Sequence, residues 1–359
     1  MTQNKFINIL LCFLIVFDYC VTCFSNYTIY FNFLSVIFIF ICCFFFYSHN
    51  NINYLILFLA FLDILIIILN KDVSNISLLV FGLVISLTKD EDVEVNTKDL
   101  FFTSLFCMLI IVFLYYFLGF NSRFDTTIWR PNQGLVNRKS LGFTHPNQFM
   151  IKVLSIYFFG LLSFRKKISY SIIFTTITYF LYAITKSRTV FLIILVSSIL
   201  VIFIYALGLQ NIRFNKNIIF LLSLSPILML VISICISCFF ANTKIDTYFS
   251  GRLIINKYFL DSGIGFLGNN SLSNETFDNS YIQMLLSSGL LFYILYSFIW
   301  IEAFKKIKSI DIFNIIALFG TLFLSFMEVC LLKYSIIVLI SICIDVKIKS
   351  KGVVSDNDS

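Results

Sequence analysis

The stretch that decides the fold runs from Arg138 to Asn147 and reads RKSLGFTHPN. It joins a polar segment to a long apolar run, and it holds one of the two histidines of the chain. Proline is favoured at the first position of a helix, because the N–H that it lacks would be unpaired there. His145 is therefore predicted to cap a membrane helix that begins at Pro146. A helix N-terminus with Arg138 a few residues upstream suits a phosphate group.

The composition is that of a polytopic membrane protein. Of the 359 residues, 59% are hydrophobic and 13% are charged, and the mean hydropathy is +0.95. Soluble domains are about 45–50% apolar and about 25% charged. The first apolar run, 6–24, lacks a small-residue cleavage site and is expected to be a retained span. The ten cysteines lie in or beside apolar runs, which argues against a disulfide framework and against a metal site.

A dozen apolar runs are candidate spans, since a spanning helix needs about 20 mainly apolar residues. The candidate spans are 6–24, 27–47, 52–69, 74–88, 100–120, 146–163, 168–185, 189–207, 217–240, 281–300, 312–328 and 331–346. Short loops rich in lysine and arginine stay cytoplasmic, and about twelve spans with both termini inside place every basic cluster there. The sequence thus predicts an all-α protein with one transmembrane domain over 1–349 and a disordered cytoplasmic tail over 350–359.

Two polar segments, 121–145 and 241–280, are too long to be tight turns. The predicted topology places both on the outer face of the membrane, together with the short junction 185–189. These three segments are therefore expected to line one cavity outside the membrane.

The arginines are distributed against the usual inward bias of positive charge. Five of the seven fall on the predicted outer face, while most lysines fall inside. Guanidinium groups bind phosphate through two parallel hydrogen bonds and keep their charge when buried. An anion site is expected at Arg138, Arg188 and Arg252. Arg123 and Arg130 are instead expected to contact lipid headgroups or acidic loop residues.

The second long segment ends in the sequence FDNSYIQ, from Phe277 to Gln283. The spacing of Ser280 and Gln283 predicts a capping box at the start of the next span. Asp278 has two interpretations. It could be part of that cap, since an acidic residue is favoured near a helix N-terminus. It could also be a carboxylate at the mouth of the cavity, placed to take a proton from an attacking hydroxyl.

These stretches together resemble the bacterial polysaccharide repeat-unit polymerases of the Wzy type, within the wider O-antigen polymerase and ligase superfamily. The resemblance rests on Arg138–Asn147, on Thr185-x-Ser187-Arg188-Thr189, and on Ser250-Gly251-Arg252 followed by Gly263-x-Gly265 and Asp278-Asn279-x-Tyr281. Residues before 100 match only in hydropathy. The resemblance implies an integral membrane glycosyltransferase of the GT-C type, on the outer side of the bacterial cytoplasmic membrane. Such an enzyme joins oligosaccharide repeat units carried on undecaprenyl diphosphate into capsular or secreted polysaccharide.

The resemblance and the residue chemistry together suggest roles for individual side chains. Diphosphate binding is assigned to Arg188 and Arg252, with Arg138 in support. Asp278 is the first choice for the general base and His145 the second, although His145 could instead donate to the diphosphate. A weaker sugar-binding role is assigned to three further residues, Asn147, Asn279 and Tyr281. Metal and cofactor are not expected. The implied partners are the lipid-linked oligosaccharide and membrane lipid; a chain-length regulator and a flippase are left open, and nucleic acid has no role.

Two other functions fit the same chain. The ligases of the superfamily resemble His-Asn where this chain has Asp278-Asn279, which favours a polymerase over a ligase without excluding one. A transporter or flippase for lipid-linked oligosaccharide would carry ionisable residues within several spans. Asp18 and Asp63 lie in predicted spans and would serve it, with Asp63 facing a transport path. The predicted spans are otherwise nearly free of charge, which favours the enzyme.

Overall fold

The computed structural model describes residues 3–24, 34, 37, 76–88, 94–130, 134–165, 167–249, 251–269, 272, 277–305, 307–345 and 347–348. The protein is mostly helical. The helices are α1 Gln3–Cys23, α2 Ile76–Thr88, α3 Thr97–Leu118, α4 Pro146–Ser163, α5 Ile168–Thr185, α6 Arg188–Ala206, α7 Lys216–Ser223, α8 Ser225–Phe240, α9 Lys244–Tyr248, α10 Arg252–Asp261, α11 Ser280–Gln283, α12 Leu290–Phe304, α13 Ile312–Met327 and α14 Tyr334–Asp345. A π-helix, Met284–Ser288, joins α11 to α12. The short strands are β1 Glu94–Val95, β2 Thr126–Arg130, β3 Gly134–Arg138, β4 Arg213–Phe214, β5 Ile310–Asp311 and β6 Lys347–Ile348.

Several helices are long and apolar enough to cross a membrane. Within the described residues these are α1, α3, α5 and α6, and the pair α7 and α8, which meets at a bend of 51°, makes up to five. Helices α12, α13 and α14 are apolar but shorter. The predicted spans 27–47 and 52–69 lie outside the described residues, apart from positions 34 and 37. A mostly helical protein with helices that could span a membrane is thus confirmed, while the count of twelve, the GT-C type and the cytoplasmic termini stay predictions.

The hydrophobic core joins the two ends of the chain. Helix α1 packs against α3 and α14, and one cluster of buried apolar side chains extends from Ile7 to Ile344. The outward faces carry large apolar side chains, such as Phe106 on α3 and Phe203 on α6, which are 66% and 62% exposed. Exposed apolar surface on this scale is typical of a face that contacts lipid.

Helices α4 and α13 lie side by side and run in opposite directions. At their start and end respectively, Asn147 donates to both carboxylate oxygens of Glu328. At the other ends, Arg165 forms an ion pair of 3.0 Å with Asp311. Helix α4 has 18 residues, which at about 1.5 Å per residue separates the two contacts by about 27 Å. We call the end that holds Glu328 the site end and the end that holds Arg165 the basic end.

The segment before α4 is a β-hairpin, which the sequence analysis treated only as a polar loop. Strands β2 and β3 pair antiparallel, with Thr126 opposite Arg138. The carboxylate of Asp125 accepts hydrogen bonds from the backbone and the hydroxyl of Ser140. Gly142 has a φ of +93°, and a Cβ there would lie 2.6 Å from the side chain of Ile111. These contacts hold the stretch Arg138–Asn147 against α3, at the site end of the molecule.

Candidate functional site

The centre of the site is Glu328, which directly follows α13. Its side chain is buried, with only 6% of its surface exposed. One carboxylate oxygen accepts a hydrogen bond of 3.0 Å from Arg252, and both oxygens lie 3.0 Å from the amide nitrogen of Asn147. Arg252 also donates to the carbonyl oxygen of Met327. The carboxylate therefore holds the first residue of α10 against the start of α4.

Arg138 is linked to Glu328 through Asn147. Its Nε atom donates to the carbonyl oxygen of Thr185 at 2.9 Å, and one terminal nitrogen donates to the side-chain oxygen of Asn147. The guanidinium is buried. A continuous chain of hydrogen bonds thus runs from Thr185 through Arg138, Asn147 and Glu328 to Arg252. It joins the three segments that the sequence predicted to line one cavity.

Asp278 pairs with Arg252 at the end of this chain of hydrogen bonds, at the protein surface. Its carboxylate lies 3.4 Å from Nε of Arg252, and 39% of its side-chain surface is exposed. Burial raises the pKa of the neighbouring Glu328 above its ordinary value, Arg252 opposes the rise, and the charge of Asp278 adds to it. Of the two carboxylates that meet Arg252, Asp278 is the one that a ligand can reach from outside.

His145 caps α4 as the sequence predicted. Its Nδ1 atom accepts a hydrogen bond from the backbone N–H of Asn147 at 3.2 Å, so the neutral ring carries its proton on Nε2. Burial lowers the pKa of His145 to about 4, and Arg138 and Arg252 act in the same direction. The ring is therefore neutral at physiological pH. Its second nitrogen presents a donor, which suits a phosphate oxygen better than it suits proton abstraction.

The predicted capping box at Ser280 and Gln283 is wrong. The cap of α11 is Asn279, whose side-chain oxygen accepts from the backbone N–H groups of Tyr281 and Ile282. Asn is as good a cap as Ser, and here the hydroxyl of Ser280 is already engaged with the backbone after α13. It donates to the carbonyl oxygen of Glu328 at 2.7 Å. The bond ties the start of α11 to the centre of the site.

Two residues predicted to contact sugar have structural roles instead. Tyr281 is completely buried, and its hydroxyl donates to the carbonyl oxygen of Leu322. Asn279 is 1% exposed, and besides its cap it donates to Ser233. Neither side chain can reach a sugar in this conformation. Asn147, the third predicted sugar contact, holds Arg138 and Glu328 together.

Arg188 lies at the start of α6, and its side chain is exposed. It follows the junction that includes Thr185, whose carbonyl oxygen accepts from Arg138. The left-handed backbone of Lys186 (φ 54°) makes the turn between the two helices. Arg188 is thus at the site end, with its side chain exposed to solvent.

Sequence reasoning missed two charged groups. Glu328 was assigned to the end of a predicted span, although it is the only acidic residue between Asp311 and Asp345. Lys152 is the only charged residue of α4, and it is completely buried in contact with Asp18 of α1. Ionisable residues within apolar runs are functional candidates by default. That signal would have found both groups.

The arrangement offers cations and a partly exposed carboxylate at one end of a helix bundle. Among the described residues, no group of three or more His, Cys, Asp or Glu side chains could hold a metal ion. Comparison of the chain with protein-family models, with curated proteins and with solved structures found no match. The chemistry of the site therefore stands on its own geometry: guanidinium groups to hold an anion, and a carboxylate to take a proton.

Proposed function

We propose that the protein polymerises oligosaccharide repeat units carried on undecaprenyl diphosphate, on the outer face of a bacterial cytoplasmic membrane. The observation that carries the proposal is the convergence of Arg138, Arg252 and Asp278 at one end of an apolar helix bundle, braced by Asn147 and Glu328. A lipid diphosphate lies at the membrane surface, and its negative charge is what buried guanidinium groups bind best. The product would be a capsular or secreted polysaccharide.

The reaction follows from the chemistry of the groups. The hydroxyl oxygen of the acceptor sugar attacks the anomeric carbon of the donor chain, the bond from that carbon to the diphosphate breaks, and Asp278 takes the hydroxyl proton. Arg252, Arg138 and Arg188 bind the departing diphosphate, and the Nε2–H group of His145 donates to it. Direct displacement inverts the anomeric carbon, so an α-linked donor gives a β linkage. Fixed donors of this kind matter, since losing one costs about 2.7–4 kcal/mol of transition-state stabilisation in a studied enzyme.

Glu328 has a different part in this proposal. It is buried, and its oxygens already accept from Arg252 and Asn147. Its charge would be offset by Arg252 before and after the reaction. We therefore assign it to positioning the guanidinium, and keep Asp278 as the base because it is the exposed partner.

The proposal is tested with purified protein in lipid nanodiscs and a lipid-diphosphate-linked repeat unit from its own host. A polymerase gives a ladder of lipid-linked oligomers and releases one lipid diphosphate for each bond made. Asp278→Asn and Arg252→Ala should each abolish the ladder. Arg123→Ala is the matched control, because Arg123 is an exposed arginine at the site end that lies over the ring of Phe124. If both variants still gave a full ladder, the assignment of Asp278 and Arg252 to the active site would be wrong.

Two alternatives are separated by the same reaction. A ligase gives no ladder with the repeat unit alone and transfers the chain when a different acceptor is added. A flippase releases no diphosphate at all.

Two observations favour the flippase. The buried pair of Lys152 and Asp18 lies within helices, and the bend between α7 and α8 resembles the broken helices of transporters. Translocation of the lipid-linked unit without release of diphosphate would favour the flippase over the polymerase.

A further inference from the structure

A cavity of about 210 Å³ lies beside the site, and the segment Val329–Tyr334, which follows Glu328, forms part of its wall. Its walls include Asp18 of α1, Gln283 of α11, Ser287 of the π-helix and Lys333 just before α14. A buried water needs only about 10–15 Å³ of such space, so the cavity has room for a small polar ligand. π-Helical turns are rare and often lie at functional sites, and this one forms part of the cavity wall.

Among the described residues, Lys333 forms no ion pair of its own. The carboxylate of Asp18, whose charge acts on Lys333, is in contact with Lys152 instead. Lys333 donates to the side-chain oxygen of Gln148, a neutral partner. Glu328, the other carboxylate whose charge acts on Lys333, forms its ion pair with Arg252. Lys333 is half-buried, and because removing a cation from water without a direct counter-charge is costly, a bound anion would lower that cost.

Most hydroxyl groups of the cavity wall are already used. Thr22 donates to the backbone of its own helix, and Ser287 donates to the carbonyl oxygen of Gln283. Because Asn279 caps α11, the side-chain amide of Gln283 is not needed there and lines the cavity instead. Gln283 and Lys333 are therefore the wall residues whose side chains offer an amide and an ammonium donor.

We infer that this cavity binds the acidic group of a small oxyanion ligand, a carboxylate or a phosphate, through Lys333 and Gln283. Identification of the ligand as an acidic sugar of the saccharide rests on the proposed function. The anion site itself does not, because the ammonium group of Lys333, with its neutral partner Gln148, is present whatever the protein does. An enzyme with this subsite would prefer repeat units that carry a uronic acid or a phosphate substituent.

The test is a binding measurement on the full chain in nanodiscs, which needs no turnover. Saturation-transfer difference NMR detects weak ligands, and the probes are glucuronate, glucose and inorganic phosphate. Saturation of glucuronate but not of glucose is expected, since the two sugars differ in one carboxylate. Displacement of glucuronate by phosphate would show that the site accepts any oxyanion of this size, and failure of phosphate to displace it would show a site for an acidic sugar. Equal saturation of glucose and glucuronate would overturn the proposal.

Variants connect the binding to the cavity. Lys333→Met should remove the glucuronate signal, while Lys333→Arg, which keeps the charge, should retain it. Lys308→Met is the matched control, because Lys308 is an exposed lysine at the basic end. Should Lys333→Met fail to fold, Gln283→Leu keeps the charge and the volume and is expected to weaken the signal. An undiminished signal in Gln283→Leu and in every folded Lys333 variant would refute the site. A missing polymer ladder together with retained glucuronate binding would refute the polymerase and leave the anion site standing.

Discussion

At the residue scale, one buried carboxylate determines where the arginines lie. Glu328 accepts from Arg252 directly and from Asn147, which in turn holds Arg138. Its removal would leave Arg252 without its buried partner. Removing one member of a buried ion pair costs about 3–5 kcal/mol, because the remaining charge is uncompensated.

Glu328→Gln should therefore lower both the thermal stability and the rate of polymer formation. The matched control is Asp311→Asn at the basic end, which removes the charge from the ion pair with Arg165. Asn keeps the capping bond that Asp311 makes to the backbone of Phe313. The measurements are the melting temperature and the rate of diphosphate release. If both variants lose activity in proportion to their stability, Glu328 has no special part in the site.

A second prediction at this scale concerns pH and His145. Its folded-state pKa is lowered to about 4, below the ordinary value of about 6.5, so the folded protein binds fewer protons than the unfolded chain between these values. The resulting stability is present above about pH 6.5 and is lost as the pH falls toward about 4.

The variant His145→Asn removes the titrating ring and keeps a capping side chain. Its melting temperature should depend less on pH between 6.5 and 4 than that of the wild type. Activity of the wild type should show no ionisation of an imidazole near pH 6–7, since the ring is neutral throughout that range. An activity profile that does follow such an ionisation, and that disappears in the variant, would restore His145 as the general base.

At the scale of elements, glycines hold the second long polar segment, 241–280, against the helix bundle. Gly289 has a φ of +96°, and a Cβ there would lie 2.3 Å from the backbone nitrogen of Gly268. In the same segment, the carbonyl oxygen of Gly265 accepts a hydrogen bond from the backbone N–H of Leu290, the first residue of α12. This docking places residues 265–268 against the start of α12.

Gly289→Ala should therefore destabilise the protein and reduce activity. Gly263→Ala is the control, because Gly263 also has a positive φ (92°) but open space where a Cβ would be. Both variants carry the strain of a left-handed alanine, and only Gly289→Ala adds a clash with backbone. Melting temperatures of the two variants give the comparison; equal losses would mean that the close approach does not matter.

The sequence predicted some elements well because their signals are local. Pro146 after His145 indicated the start of α4, and the structure confirms that cap. The capping box predicted at Ser280 was wrong because such a box is recognised from residue types alone. The residue one position earlier, Asn279, accepts from the free N–H groups at the start of the helix instead. The ion pair of Glu328 with Arg252 spans 76 residues of chain. A contact of that kind depends on which helix ends meet, which periodicity within each helix does not specify.

At the scale of the whole molecule, the two ends of the bundle differ in chemistry. The site end carries Arg252, Asp278 and Glu328, and the basic end carries Arg165 and the β4–β5 pairing of Arg213 with Asp311. Short basic loops remain in the cytoplasm, so we expect the site end to face outward. The proposed donor is available only on that side, and the orientation is therefore a condition of the proposed function.

Two exposed positions report the orientation. Thr127 lies in the hairpin at the site end and Ser309 lies next to β5 at the basic end, and both side chains are exposed. In intact cells, a thiol reagent that cannot cross the membrane should label Thr127→Cys, and it should label Ser309→Cys only after the membrane is permeabilised. Labelling of the parent protein measures the background signal from its native cysteines. The reverse labelling pattern would mean that the arginines face the cytoplasm. An anion site could still exist there, but a polymerase acting on the outer face could not.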